Sequence, residues 1–188
     1  MVSKTDNASM VLRWAAPTLM IIALLASSGF AQKGDATRGQ SRLAQEVRHE
    51  LVMLPYYSVF DNLEYRVEGN DTVMLSGQVV RPTLKSDAEN VVKRVESVGK
   101  VTNNIEVLPV SQHDDDIRRA TYRAIFSKPG LDRYSLQAVP PIHIIVKNGN
   151  ITLVGVVATE ADKNLAELAA RGVSGAFGVT NQLRIEKS

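Results

Sequence analysis

The residues of this chain whose types could do chemistry are three histidines, a run of three aspartates and a serine set before a glycine. A metal site needs ligands that converge, but His49, His113 and His143 fall in three separate segments, with no cysteine to join them. Asp114-Asp115-Asp116 offers hard oxygen ligands, yet no further ligand cluster adjoins it. Three carboxylates ahead of an apolar period instead suit the unpaired N–H groups and the dipole of a helix start. Ser76 precedes Gly77 without the Gly-x-Ser-x-Gly elbow, and no phosphate-cradling or dinucleotide glycine pattern occurs. Asn70-Asp71-Thr72 is formally a glycosylation acceptor, but a hairpin turn is reason enough for those residue types. The pattern predicts a protein that is not an enzyme, with no catalytic residue, metal or cofactor. Its chemistry is expected to be that of a surface.

A repeat locates that surface. Val73-Met74-Leu75-Ser76-Gly77-Gln78-Val79 returns as Ile151-Thr152-Leu153-Val154-Gly155-Val156-Val157, and Val101-Thr102-Asn103-Asn104-Ile105 returns as Val179-Thr180-Asn181-Gln182-Leu183, both 78 residues on. The intervening helix can therefore be compared face by face. Ala88, Val91, Val92 and Val95 match Ala166, Ala169, Ala170 and Val173, an apolar stripe in both copies. On a neighbouring face, Thr83, Asp87, Asn90 and Arg94 become Ala161, Leu165, Leu168 and Gly172.

A helix on a small sheet needs one apolar stripe, so Leu165 and Leu168 are surplus to the second copy's core and are predicted to be exposed unless something covers them. The cover is either the first copy, closing over this face, or a membrane or partner protein. Lys163 and Arg171 flank the leucines and Phe177 lies just beyond the helix. A basic rim around an apolar centre suits anionic lipid headgroups. Residues 41–108 hold 8 basic and 10 acidic side chains and residues 114–188 hold 10 and 8, so the second copy is the cationic half. Arg118, Arg119 and Arg123 form an alternative basic surface.

The elements that must position these residues follow from periodicity. Leu43, Val47, Leu51 and Leu54 form one face of a helix stopped by Pro55, and Ile117, Ala120, Ala124 and Ile125 open the second copy in the same way. A strand at residues 63–67 or 142–146, a turn, the glycine-bearing strand, the striped helix and a last strand at 105–108 or 183–185 complete each unit. Asn148-Gly149 is a strong hairpin signal, and Gly77 and Gly155 mark close packing of another element. The fold class predicted is α+β: two α-β-β-α-β sandwiches, each a three-stranded sheet with two helices on one face. Each copy is small for an independent core, so the two are expected to pack on each other or on something else.

These residues carry a family resemblance. Val73-x-Leu75-Ser76-Gly77-x-Val79, Ala88-Glu89, Val95, Val98, Val101 and Asn103 resemble the BON domain. The second copy is more similar still, through Ala166-Glu167, Ala169-Ala170, Val173-x-Gly175-Ala176 and Val179-x-Asn181-x-Leu183. The resemblance spans residues 41–108 and 114–187. It implies small, often paired envelope modules, like the osmotically inducible periplasmic protein, associated with phospholipid binding and envelope integrity and without enzymatic activity. Ser97 departs from the family where the second copy has Gly175, and residues 129–141 outrun their counterpart after Pro55.

Compartment and boundaries come last. Lys4 and Arg13 precede an apolar stretch, Trp14 to Leu25, and then small residues ending Gly29-Phe30-Ala31, the parts of a signal peptide at residues 1–31. Residues 32–40 read as a flexible leader, 41–108 as the first domain, 109–113 as a linker and 114–188 as the second domain. Without the signal, 20 basic and 19 acidic residues remain, too balanced for nucleic acid as a partner. The expected protein is periplasmic. Its second domain binds phospholipid or a membrane surface in support of envelope integrity or stress tolerance. The alternative is a protein-interaction or chaperone-like module that uses the same helix face toward envelope proteins.

Overall fold

The computed structural model describes residues 28–69, 71–137 and 139–186. Leu43, Val47 and Leu51 point from helix α1 (Ser28–Val52) into a core that Leu54 joins just past the helix end. α1 starts earlier than the sequence suggested, so residues 32–40 are helical and not a flexible leader. Once the amphipathic turns form, extending the helix adds one hydrogen bond per residue fixed, and no proline blocks it on this side. The predicted signal peptide lies mostly outside the described residues.

Strands β1 (Asn62–Glu68) and β2 (Thr72–Val79) pair antiparallel. Helix α2 (Pro82–Val92) then returns the chain to β3 (Lys100–Asn103) and β4 (Glu106–Val107), both parallel to β2. The second copy repeats this order. Helix α3 (Gln112–Phe126) and a short 3-10 helix (Asp132–Leu136) precede the hairpin of β5 (Ile142–Lys147) and β6 (Asn150–Val157). Helix α4 (Glu160–Arg171) leads to β7 (Gly178–Ile185), parallel to β6. Each last strand starts well before the predicted position, because Asn103 and Asn181 interrupt its apolar alternation.

Gly77 and Gly155 are required by geometry. Both adopt left-handed φ, 109° and 129°, and a Cβ on either would overlap a main-chain carbonyl oxygen, that of Asn62 on β1 or of Pro141 just before β5. The close element that the sequence implied is therefore main chain. Asn148 and Gly149 both take positive φ, 51° and 75°, as a two-residue I′ turn demands.

The aspartate run does not supply the helix cap, but Asp114 and Asp115 lie in the first turn as expected. Ser111 is the cap, its hydroxyl accepting from the Asp114 N–H, so α3 begins at Gln112 and His113 sits in its first turn. The Asp114 carboxylate accepts from the main-chain N–H of Asn148 (2.9 Å) and Gly149 (2.7 Å), tying the helix start to the hairpin. Asp115 and Asp116 pair with Arg118 and Arg119.

Residues 36–188 form one compact unit, and the copies meet within it at β5. Every residue from Ile142 to Val146 is buried. Ile142, Ile144 and Val146 belong to the second core, while His143, on the opposite face of the strand, stacks on Tyr57 of the first copy with ring centroids 5.7 Å apart. Val59, 7 % exposed, is part of the second core, and its carbonyl accepts the Ile144 N–H at 2.8 Å. Phe60 packs edge-on to Tyr122, and Lys147 pairs with Glu106. Among the described residues, no helix is long and apolar enough to cross a membrane.

Candidate membrane-facing site

Helix α4 is fixed at both ends and along one side. Thr159 caps its start by accepting the Asp162 N–H, and Ala166, Ala169 and Ala170 face the core. On the β7 side, the Asn181 amide donates to the Lys163 carbonyl (3.0 Å) and to the Glu167 carboxylate (3.1 Å), while its oxygen accepts from the Leu183 N–H. Asn103 makes the same three bonds to Lys85, Glu89 and Ile105 in the first copy. Hydrogen bonds from Arg171 and then Asn181 hold the Glu167 carboxyl below its ordinary range, and Lys93 and Asn103 do the same for Glu89. The apolar flank thus sits on a clamped helix.

Of the predicted site residues, Ala161, Lys163, Leu165, Leu168 and Arg171 lie on α4, with Gly172 at its C-cap. Leu168 is 68 % exposed, and Ala161, Arg171 and Gly172 are exposed beside it in the sequence. Leu165 corrects the expectation in part: it is half-buried and packs against the second core, so it is not wholly surplus. The Arg171 guanidinium is held by Glu167 through Nε (2.9 Å) and Nη2 (2.7 Å). Phe177 stands apart from α4. It is 77 % exposed, with its ring 6.0 Å from that of His113, and its N–H donates to the Gly149 carbonyl.

The first copy meets the second at β5, and that interface leaves Leu168 and Phe177 exposed. The face-by-face comparison of repeats did not find this interface, although its signal is in the sequence. Ile142-His143-Ile144-Ile145-Val146 lacks the alternation of a half-exposed strand, and such a run predicts burial on both sides.

Tandem α-β-β-α-β sandwiches with a repeated asparagine clamp define a class of small paired modules. Among the described residues, no three histidine, aspartate or glutamate side chains gather as a metal ion would require. The chain belongs to the BON domain family, whose profile matches it twice, over residues 40–109 and 113–187. BON domains are associated with phospholipid binding and with envelope proteins. No curated protein matches the sequence. Among solved structures, the chain is similar to the C-terminal domain of CdsD, a structural protein of the type III secretion system of Chlamydia trachomatis. That match has 13% identity, a TM-score of 0.28, and covers 77% of this chain and 98% of that one. A second structure of CdsD matches with 13% identity and a TM-score of 0.28, covering 78% and 93% of the two chains.

Proposed function

We propose that this is a non-enzymatic, exported envelope protein whose second BON domain docks on an anionic phospholipid surface through the outer flank of α4. The observation that carries this reading is the exposure of Leu168 on that flank, with Phe177 exposed beyond the helix just before β7, in a molecule whose two domains already pack together elsewhere. Full burial of each side chain contributes about 1.5–3 kcal/mol, and each basic residue near an anionic surface adds about 1 kcal/mol. Lys163 supplies that charge on the same helix, whereas Arg171 is paired with Glu167. Leu165 anchors the flank to the core, so the helix can bury its outer residues in the interface without unpacking.

Flotation with phosphatidylglycerol vesicles tests the reading. The wild type is expected to float, and Leu168→Asn with Phe177→Ala to lose about tenfold or more in binding. Both residues are exposed, so the variant should melt like the wild type. Equal flotation would remove the flank as the lipid site. Failure of the wild type to float would favour a protein partner on the same face.

A further inference from the structure

The two domains carry the same outer face with opposite charge. In the first, a groove of ≈ 370 Å³ between α1 and the residues just past α2 is lined by Gln45, Glu46, His49, Glu50, Val95 and Glu96. Glu46 and Glu96 are exposed and Glu50 is half-buried, and these carboxylates have no ion-pair partner among the described residues. The floor is apolar, since Val95 packs against the first core. Met53, whose N–H donates to the His49 carbonyl, continues the same face of the helix and is 67 % exposed.

The duplication gives each of these residues a counterpart. Leu43, Val47 and Leu51 are buried on α1 as Ile117, Thr121 and Ile125 are on α3, and Gln40 ties α1 to its hairpin through the Gly69 carbonyl as Asp114 ties α3 to the N–H groups of Asn148 and Gly149. In that register Gln45, Glu46, His49 and Glu50 become Arg119, Ala120, Arg123 and Ala124, while Val95 and Glu96 become Val173 and Ser174. The carboxylates of the groove are lost and guanidinium groups take their side. Arg119 pairs with Asp116, whereas Arg123 is exposed with no ion-pair partner among the described residues. Glu46 and Glu50 stand four apart on one helix, and so do Arg119 and Arg123 on the other, a spacing at which like charges weaken a helix. Neither pair serves its own domain. Nor do the two faces neutralise each other within one chain, for the ion pair that joins the domains among the described residues is Lys147 with Glu106.

We propose that these faces are the two halves of a self-association contact, in which the acidic groove of one molecule receives the outer face of α3 from a second copy of this chain. Glu46 and Glu50 meet Arg119 and Arg123 at matching spacing, and the short side chains of Ala120 and Ala124 let the helix approach the groove and its exposed Met53. Contacts of acidic face on acidic face, or basic on basic, are rejected by like charge, so first domain meets second. A front-to-back contact of this kind closes into a ring where its rotation allows and otherwise propagates as a chain.

Sedimentation velocity on the full chain at submillimolar concentrations tests this, at about 0.01 M and about 1 M salt, where charges are felt across about 30 Å and about 3 Å. The sedimentation coefficient should rise with concentration at low salt and hold the monomer value at high salt. Glu46→Lys with Glu50→Lys should weaken association about tenfold or more, as should Arg123→Glu in a separate chain. Mixing the two charge-reversed variants should restore association, because each presents the complement of the other, whereas damaged folds would not rescue one another. A wild type that stays monomeric at low salt, a rise that persists at high salt, or a mixture that stays monomeric would overturn the proposal. Leu168→Asn with Phe177→Ala should associate like the wild type, so loss of flotation in that variant bears only on the α4 flank.

Discussion

Two residues show how far a single position governs this fold. A methyl group on Gly155 would strike the Pro141 carbonyl from a backbone angle that only glycine holds without strain. Gly155→Ala should therefore destabilise the second domain by more than about 3 kcal/mol, read as a large drop in urea midpoint. Asn181 bonds β7 to α4 twice and the Leu183 N–H of its own strand once, and Asn181→Ala leaves the Leu183 N–H and the Lys163 carbonyl short of a partner. Its expected cost is about 2–3 kcal/mol, with Asn103→Ala giving a similar loss in the first domain. Both positions were visible as exact repeats. The sequence marked the glycines as close approaches, but it could not say that the neighbour is a main-chain carbonyl, or that an asparagine inside a strand is a clamp. Repeats compensate for each other in less visible ways too. Gly99 faces Asp71 in the first copy and Phe177 faces Gly149 in the second, so bulk has crossed from one side of the contact to the other.

At the scale of elements, the second copy differs most in residues 129–141. Their 3-10 helix is pinned to the start of α4 by Asp162, whose Oδ2 accepts from Arg133 (2.6 Å), the Tyr134 hydroxyl (3.0 Å) and the Thr159 hydroxyl (2.8 Å). Burial works against this carboxylate's charge, but the hydrogen bonds from Thr159 and Tyr134 and the charge of Arg133 prevail and hold it below its ordinary 3.8. A carboxyl whose folded value is depressed stabilises the fold above its unfolded value, and that contribution is lost as pH falls through the folded one. Melting temperatures should thus decline on acidification below about pH 4, and Asp162→Asn should flatten part of that decline. A length mismatch between the repeats announced the loop. Its anchor was not legible, because Arg133, Tyr134 and Asp162 are brought together only by the fold. Element order and type were legible throughout, since apolar periods and turn residues act locally. Strand starts and the leader were not, because a half-buried asparagine and helix propagation override the local pattern.

For the whole molecule, the governing fact is that the first domain completes the second. Val59 fills the second core, and its carbonyl meets the outer edge of β5, where Arg118 also bonds the Val146 carbonyl. Closing that edge hides a strand that would otherwise invite pairing with another chain. At the centre of the junction lies His143, 9 % exposed, stacked on Tyr57, with Nδ1 lacking a partner among the described residues. Burial lowers its pKa from the ordinary 6.5, outweighing the main-chain groups of Asp61 and Ser58 and the charge of Asp61, which pull the other way. Burial also raises the Tyr57 hydroxyl to about 12, so it keeps its proton across the working range. A histidine held neutral by folding leaves the unfolded chain with more bound protons once pH drops below 6.5, so the junction loses stability as pH falls from there toward the folded value. The loss should show as a melting temperature several degrees lower at about pH 5.5 than at pH 8. His143→Phe, which keeps a ring for Tyr57 and removes the titrating group, should abolish most of that difference. If the variant and the wild type fall in parallel, His143 is not the group that couples the junction to pH.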